Sequence, residues 1–208
     1  MREELPSDIE ASNFRKGDIR IRSEQAGLLV IDMQRFFLDR ESHAFLPEGL
    51  EAIPLMKELI KAFRNKGRPI VFTKHIHPRG SDPGNMGKWW SDVMWEGSHY
   101  LDIHPDIELQ TGDKVVQKDR YDAFLRTDLE QFLRSNGVSQ IVITGVMTNL
   151  CCETTARTAF CRDFEVFFVH DCTAAASQEH HNSALRNLAY GFAVLVSADE
   201  ILKGLEGE

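Results

Sequence analysis

The stretch QIVITGVMTNLCCETTARTAF, residues 140–160, holds the pattern that decides the fold. Residues 140–146 form an apolar, β-branched run typical of a strand buried on both faces. Residues 149–162 then carry the 3.6-residue spacing of a helix, and Gly145 and a short turn lie where the two segments meet. A buried strand that turns directly into a helix is the repeating unit of a parallel α/β sheet.

The same alternation of strand and helix extends along the chain in both directions from this stretch. Five more apolar runs are predicted strands, at residues 27–32, 69–75, 114–118, 165–170 and 192–196. The other predicted helices span residues 49–65, 127–136 and 177–189. The pattern predicts a doubly wound, mostly parallel six-stranded sheet with helices on both faces, a Rossmann-like three-layer α/β fold.

The composition excludes several classes of protein. With 42% hydrophobic and 27% charged residues, the chain is an ordinary globular sequence. Its 24 Lys and Arg against 32 Asp and Glu give a net charge of −8, so nothing favours binding to nucleic acid. The apolar runs are far shorter than the roughly 20 residues that cross a bilayer, and residues 1–8 lack the apolar region of a signal peptide. We therefore expect a cytoplasmic protein that binds no membrane.

The length of 208 residues favours one large domain. We predict an N-terminal arm at residues 1–26 and a single domain at residues 27–208. Between the second and third predicted strands, residues 77–112 have no convincing helical pattern and contain all three tryptophans. A loop of this length usually serves as a lid or a binding loop, so its fold decides which substrate is bound.

Three reactive side chains stand at predicted strand ends, where such a sheet binds its ligands. Asp32 closes the first strand, Lys118 closes the third, and Cys151 follows the fourth. The Cys151 thiol would lie in the first turn of a helix, where unpaired backbone N–H groups favour the thiolate. The Cys152 side chain should point about 100° away from that of Cys151 around the helix and pack in the core. Taken singly, each of the three also has a structural explanation, as a strand-end cap, a solvated charge or a small buried side chain.

Three segments in this order, LLVIDMQ at 28–34, KDRYDAF at 118–124 and GVMTNLCCETTARTAF at 145–160, resemble the isochorismatase-like cysteine hydrolase superfamily. That superfamily includes nicotinamidases, N-carbamoylsarcosine amidase and ureidoacrylate hydrolases. The resemblance covers about residues 25–203. It implies a catalytic triad of Asp32, Lys118 and Cys151, a cis peptide at Val146–Met147, and an oxyanion hole formed by the backbone N–H groups of Met147 and Cys151.

The resemblance also implies an activity. Isochorismatases proper cleave a vinyl ether and do not need the cysteine, so Cys151 favours hydrolysis of a C–N bond. We expect a cysteine-dependent amidohydrolase that acts on a small amide or ureido (N-carbamoyl) compound through a thioester intermediate. The alternatives are an isochorismatase-type hydrolase, a metal-assisted nicotinamidase-type hydrolase, and a thiol, redox or binding protein on the same fold without hydrolysis.

One departure from the nicotinamidases concerns metal. They carry an Asp-x-His motif after the second strand, whereas this chain has His75-Ile76-His77. Both imidazoles would point to the same side of an extended segment, and His99 or His104 could supply a third zinc ligand. Paired histidines at a strand end more often line a pocket, so we expect no metal and no other cofactor.

The remaining expectations concern the pocket and the assembly. The candidate pocket residues are Phe37, His75, His77, Trp89, Trp90 and Tyr121. The tryptophans could equally fill a subunit interface, because the resemblance implies a homodimer or homotetramer. Arg79 or Arg120 could bind a substrate carboxylate, and His180 and His181 are typical of a surface or an interface.

Overall fold

All six predicted strands pair in one parallel sheet in the computed structural model, which describes residues 5–7, 9 and 19–207. The strands are β1 (Ala26–Ile31), β2 (Ile70–His75), β3 (Lys114–Lys118), β4 (Gln140–Val146), β5 (Glu165–Ala174) and β6 (Val194–Val196). Their order across the sheet is β3-β2-β1-β4-β5-β6, and every neighbouring pair is parallel. The predicted fold class is therefore confirmed.

Helices connect the strands and cover the sheet. The α-helices are α1 (Arg35–Leu38), α2 (Pro47–Glu51), α3 (Ile53–Asn65), α4 (Asn85–Trp89), α5 (Leu129–Ser135), α6 (Glu153–Cys161), α7 (Gln178–Gly191) and α8 (Ala198–Glu206). Short 3₁₀ turns cover Ser23–Gln25, His99–Leu101 and Pro105–Ile107, and a π-helical turn covers Thr148–Cys152. In the part of the chain that the structure describes, no helix is long and apolar enough to cross a membrane.

Two buried clusters, one on each face of the sheet, form the core. On one face Leu28 and Phe72 pack with apolar residues of α3 and α8. On the other face Leu29 and Ile143 pack with residues of α5, α6 and α7. Because alternate residues of a buried strand point to opposite faces, β1, β2, β4, β5 and β6 contribute to both clusters, whereas the edge strand β3 contributes Val116 to one cluster only.

The chain reverses its direction of winding between β1 and β4, the two central strands. At this point the crevice at the carboxyl end of the sheet opens, which is where a doubly wound sheet binds ligands. Gly145 near the end of β4 has φ +115°, and a Cβ there would lie 2.1 Å from the Ile31 carbonyl oxygen of β1. Only glycine allows the two strands to approach this closely.

Several element boundaries differ from the predicted ones. The predicted helix at 49–65 is two helices, α2 and α3, because Pro54 lies in the first turn of α3 and a proline starts a helix more readily than it continues one. The long loop contains the short helix α4. The C-terminal helix α8 was not predicted, although the capping box of Ser197 and Glu200 marks its start.

The described residues before β1 pack onto the sheet domain. Ile9 is fully buried in the cluster that includes α5, and the Arg22 guanidinium pairs with Glu165 at 2.7 Å. Ile21 lies so close to Gly204 of α8 that a Cβ on this glycine would meet it at 2.0 Å. Most of the predicted arm at 1–26 lies outside the described residues, and its last residue, Ala26, belongs to β1.

Candidate active site

Asp32, Lys118 and Cys151 come together at the carboxyl end of the sheet. The Lys118 ammonium donates to Asp32 Oδ2 at 2.6 Å and to Cys151 Sγ at 3.3 Å. The side chains of Lys118 and Asp32 are both completely buried, and Cys151 is 4% exposed. Burying an ion pair beside a thiol costs free energy unless each charge lies close to a partner of opposite charge. The contact between the Lys118 ammonium and the Asp32 carboxylate meets that condition.

Asp32 is held from two sides. It follows β1 with φ +48°, a left-handed conformation that non-glycine residues rarely adopt away from functional sites. The Thr73 hydroxyl on the neighbouring strand β2 donates to Asp32 Oδ1 at 2.6 Å and accepts from the Asp32 backbone N–H at 3.0 Å. Thr73 therefore fixes one carboxylate oxygen while Lys118 binds the other.

Cys151 lies in the turn after β4, where the first turn of the predicted helix has an unexpected form. The Val146–Met147 peptide is cis, and residues Thr148–Cys152 form a π-helical turn that continues into α6 at Glu153. The thiol is therefore in the first turn of a helical segment, as predicted, but that turn is π-helical and not α-helical. Cys152 is fully buried in the apolar cluster that includes α6, in agreement with its predicted packing.

The protonation states follow from burial and from the neighbouring charges. Burial raises the pKa of the Cys151 thiol and the Asp32 carboxylate raises it further, which outweighs the Lys118 ammonium. Burial also disfavours the Asp32 carboxylate, but Lys118, His75 and the Cys151 thiol together outweigh burial, so the pKa of Asp32 is below its ordinary value. In the resting protein the proton is thus on sulfur beside an ionised carboxylate, and the thiolate expected from a helix end is not the resting form.

Above these residues lies a cavity of about 410 Å³. Its wall is mostly apolar and aromatic, and includes Phe37, Trp90, Tyr121, Met147 and Cys151. The wall also contains Phe36, His43, Ala44, Phe45, Leu46, His75, His77, Met86, Ser91, Asp92, Val93, Met94, Leu150 and Ala176. The cavity is large enough for a small ring compound, and the nucleophile candidate lies on its surface.

The two adjacent tryptophans of the long loop have different surroundings. Trp90 lines the cavity, and its indole N–H donates to the Tyr121 hydroxyl at 2.7 Å. Trp89 does not line the cavity and is 79% exposed, so its prediction as a pocket residue was wrong. Trp89 ends the short helix α4, where successive side chains point about 100° apart, so only one of the two indoles can face the cavity.

His75 and His77 form a buried pair in the cavity wall, with their Nε2 atoms 3.1 Å apart. Burial lowers the pKa of His75 to about 3, with Lys118 adding to the effect, and burial also lowers the pKa of His77. Both rings are therefore neutral, and one donates its proton to the other. The buried Gln34 amide holds the end of β2 by accepting from the His75 N–H at 2.7 Å and donating to the His75 carbonyl.

The predicted third zinc ligands lie elsewhere. His99 stacks on the Tyr100 ring, and His104 lies beside the carboxylates of Asp39 and Asp106. Neither belongs with His75 to a cluster of potential ligands among the described residues.

The described residues do bring one other set of potential ligand atoms together, those of Asp32, His75 and Cys151, within 4.8 Å of one another. Both carboxylate oxygens of Asp32 are already bound, one by Thr73 and one by the Lys118 ammonium. The ammonium would repel a divalent cation at the same place. This donor set does not fit a metal ion.

Neither arginine considered for a substrate carboxylate reaches the cavity wall. The Arg79 guanidinium donates to the Glu96 carbonyl on the surface, and Arg120 pairs with Asp119.

His180 is exposed, as expected. His181 instead bonds the buried Thr148 hydroxyl in the turn before Cys151, with its Nδ1 atom 2.8 Å from the oxygen.

The sequence reasoning missed the supporting residues of this site. Thr73 is a polar residue in the middle of an apolar strand, which was the available signal for its contact with Asp32. Gln34 was quoted only as part of a motif, although it holds the His75 backbone. The apolar wall formed by Phe45, Met94 and Leu150 comes from three separate segments, so no local pattern identifies it.

Together the parallel sheet, the crevice between its central strands and the buried Asp, Lys and Cys side chains define a doubly wound α/β domain with a cysteine-containing site in its crevice. The chain belongs to the isochorismatase family, whose family model, described as the isochorismatase domain, matches residues 26–200. This is a family of hydrolases.

Three proteins illustrate what the chain is similar to. It is 40% identical over 206 residues to Nicotinamidase 3 of Arabidopsis thaliana, and the match covers 95% of this chain and 98% of the relative. A cysteine hydrolase from Pseudomonas syringae has the same fold, with a TM-score of 0.87 at 23% identity over 100% of this chain and 99% of the other. The pyrazinamidase of Pyrococcus horikoshii in complex with zinc matches with a TM-score of 0.74 at 27% identity, over 83% and 99%.

Proposed function

We propose that this protein is a cysteine-dependent amidohydrolase that cleaves the C–N bond of a small, uncharged amide, with nicotinamide as the first candidate. The main support for this proposal is that buried Lys118 contacts both Asp32 and Cys151 at the base of an apolar cavity. A nucleophile, a proton acceptor and a group that orients the acceptor are the components of covalent hydrolysis.

The first half of the reaction forms a thioester. Asp32 accepts the proton of the Cys151 thiol, and the sulfur attacks the amide carbonyl carbon. The backbone N–H groups of Met147 and Cys151 stabilise the resulting oxyanion. The Asp32 carboxylic acid then returns the proton to the amide nitrogen, the C–N bond breaks, and ammonia leaves.

The second half hydrolyses the thioester. Asp32 is again a carboxylate and accepts a proton from water as the oxygen attacks the carbonyl carbon. The C–S bond breaks, the carboxylic acid product leaves, and the proton on Asp32 returns to the sulfur. Lys118 keeps its positive charge throughout because its pKa is above the ordinary value: burial opposes the charge, but Asp32 and Cys151 outweigh it.

The cavity wall supports an uncharged substrate. Among the residues that the structure describes, this wall contains no lysine or arginine, and Asp92 is its one acidic residue. A substrate with a carboxylate, such as an N-carbamoyl acid, would lose its hydration there without gaining a cation. An uncharged aromatic amide fits the apolar wall, and the 40% identity to Nicotinamidase 3 points the same way.

The alternative functions explain fewer of the contacts. A redox function based on the adjacent cysteines would leave Asp32 and Lys118 without a role, and the Cys152 side chain is fully buried. A non-catalytic binding protein would have no need for a buried ion pair beside the thiol. Isochorismatase chemistry on a dicarboxylate would bring two negative charges to a wall without a cation.

The test is ammonia release from a panel of amides. Nicotinamide, pyrazinamide and benzamide represent uncharged aromatic amides, and N-carbamoylsarcosine and ureidoacrylate represent ureido acids. We expect kcat/KM for the best aromatic amide to exceed that for either ureido acid by at least about 100-fold, the selectivity that an unpaired buried charge produces. Preferential release of ammonia from the ureido acids would contradict the proposed substrate, and release from none of the compounds would contradict the amidohydrolase.

The two adjacent cysteines give a sharper test of mechanism. Cys151→Ala should lower kcat by at least about 10³-fold, because it removes the nucleophile. Cys152→Ala changes a buried residue of the same type one position away and should keep most of the activity. Equal losses in the two variants, both folded by circular dichroism, would refute the assignment of Cys151.

A further inference from the structure

A hydrogen bond from α7 holds the π-helical turn that contains Cys151. The Thr148 hydroxyl and His181 Nδ1 lie 2.8 Å apart. Thr148 is fully buried and is the first residue of the turn, whereas His181 lies in the first turn of α7. Among the described residues, the His181 ring is the one hydrogen-bond partner of this hydroxyl. The bond therefore links α7 to the segment that places the proposed nucleophile.

The state of the His181 ring suits this bond. A buried hydroxyl loses free energy on folding unless it finds a partner. Burial lowers the pKa of His181 to about 4, and the nearby His170 adds to the effect, so the ring is neutral at neutral pH. A neutral imidazole has one N–H donor and one bare nitrogen, so Nδ1 can form the bond in either direction. The ring thus satisfies the hydroxyl without placing a charge beside the turn.

Thr148 is well placed to control the position of the turn. The Met147 carbonyl accepts from the backbone N–H groups of Leu150 and Cys152, at 3.1 and 3.2 Å, which closes the turn on itself. Thr148 lies between Met147 and Cys151, the two residues to which the proposed reaction assigns the oxyanion N–H groups. A bond that fixes the Thr148 side chain therefore fixes where the closed turn lies relative to α7.

The His181 side chain is not in the wall of the active-site cavity, although α7 packs against the turn. It therefore contacts no substrate there and exchanges no proton with one. Any effect of His181 on the reaction must pass through Thr148.

We propose that His181 is a positioning residue for the proposed hydrolysis: through Thr148 it fixes the turn that places the Cys151 sulfur and the two oxyanion N–H groups. The inference rests on the proposed function. A small displacement of reacting groups lowers the rate of a reaction far more than it weakens binding of the substrate, so loss of the bond should lower kcat and leave KM nearly unchanged.

The test measures kcat and KM for ammonia release from the best amide of the panel, in full-length variants that are folded by circular dichroism. His181→Ala and Thr148→Val each remove one partner, and each should lower kcat by at least about tenfold with KM within about threefold. The double variant should be no more than about twofold worse than the worse single variant, because both substitutions remove the same bond. His181→Asn places an amide group near the position of Nδ1 and should keep kcat within about threefold of the wild type.

The matched control is His180→Ala, the same substitution at an exposed position of the same helix, which should leave kcat and KM unchanged. Losses that multiply in the double variant, or equal losses in His181→Ala and His181→Asn, would overturn the proposal, because the volume of the ring and not its bond would then matter. Variants that unfold more easily in urea while the folded protein keeps its kcat would also overturn it, since that is the result of a purely structural role.

A second measurement does not depend on amide hydrolysis. The rate at which iodoacetamide alkylates Cys151, followed by mass spectrometry, reports how the sulfur is aligned with its proton acceptor Asp32. His181→Ala and Thr148→Val should slow alkylation by at least about threefold, and His180→Ala should not. Unchanged or faster alkylation in the first two variants would overturn the proposal. If the wild-type protein hydrolyses no amide but the variants show the expected alkylation rates, the proposed function fails while the positioning role of His181 stands.

Discussion

The Thr73 hydroxyl, which carries no reactive chemistry itself, orients the carboxylate on which the proposed reaction depends. Its 2.6 Å bond to Asp32 Oδ1 leaves the other oxygen for Lys118. We predict that Thr73→Val, which keeps the shape and removes the hydroxyl, lowers kcat/KM about 10- to 100-fold. This is the effect of losing a hydrogen bond to a charged group, about 1.5–3 kcal/mol.

Thr144 provides the matched control for this substitution. It is also fully buried, and its hydroxyl donates to the backbone carbonyl of Leu29 at 3.0 Å, away from Asp32. Thr144→Val should cost about 1 kcal/mol of unfolding free energy in urea, and should change kcat/KM by less than about threefold. Equal loss of activity in both variants would mean that Thr73 acts through stability alone.

The two histidines at the end of β2 lead to a prediction about metal. Among the described residues only Asp32 and Cys151 form a cluster of three potential ligands with His75, and the Lys118 ammonium lies against both. We therefore expect full activity after exhaustive chelation. Elemental analysis of the purified protein, before and after chelation, is the measurement. Stoichiometric zinc or iron that is lost together with activity, and that restores activity when added back, would contradict this prediction.

For single residues, the sequence predicts some features of the site and not others. Asp32 and Lys118 end or follow predicted strands and Cys151 follows another, so their convergence at the carboxyl end of a parallel sheet could be predicted. Their assignment as a triad came from the resemblance to the isochorismatase-like hydrolases. The protonation state of the Cys151 thiol could not be predicted, because its pKa depends on burial and on the nearby Asp32 carboxylate. The π-helical turn that carries it has no signature in the apolar spacing.

At the scale of the elements, the contact between β1 and β4 positions two of the three reactive side chains. Asp32 leaves the sheet at the end of β1 and Cys151 after the end of β4, so their separation depends on how closely these strands pair. Gly145 pairs with Ile31 across these strands, and a Cβ at Gly145 would lie 2.1 Å from the Ile31 carbonyl oxygen. A side chain there must push the strands apart.

We predict that Gly145→Ala is strongly destabilising, by more than about 3 kcal/mol, and that any folded fraction has little activity. Gly137 also has positive φ, +68°, but a Cβ there would meet nothing within 4 Å. Gly137→Ala should therefore cost only about 1 kcal/mol, the conformational penalty alone. Thermal unfolding followed by circular dichroism compares the two, and similar losses would show that the close contact is unimportant.

The strands and most long helices could be predicted because their apolar periodicity reflects burial on the sheet. The 77–112 loop could not, because its structure depends on contacts made far along the chain. His77 forms an isolated bridge with Trp95, and Gln34 forms another with Ile103. Such contacts join residues that are distant in the sequence, so no local pattern predicts the path of the loop.

At the scale of the whole molecule, the cavity of the candidate active site lies at the carboxyl end of the sheet. Among the described residues its wall contains no lysine or arginine. A cavity lined by Arg64, Arg68 and Lys114 lies instead at the end of the sheet where β2 and β3 begin. The two cavities therefore differ in charge and lie at opposite ends of the strands.

The assembly of the whole molecule is the last prediction. Trp89 is 79% exposed on α4 and does not line the cavity. We therefore expect its indole ring to pack in a subunit interface, which was the alternative to a pocket residue. Indole rings are enriched in interfaces because they bury a large apolar area. We expect light scattering to give a dimer or tetramer of the 23.7 kDa chain.

Substitution of exposed aromatic residues then locates the contact. Trp89→Ser should lower the measured mass or weaken association, because it removes the apolar surface that the interface would bury. Tyr190 is similarly exposed, at 76%, on the distant helix α7, so Tyr190→Ser should leave the mass unchanged. A single-chain mass at all protein concentrations would contradict the oligomer. An oligomer weakened by Tyr190→Ser and not by Trp89→Ser would place the interface on α7, because an exposed ring contributes to association only where a partner covers it.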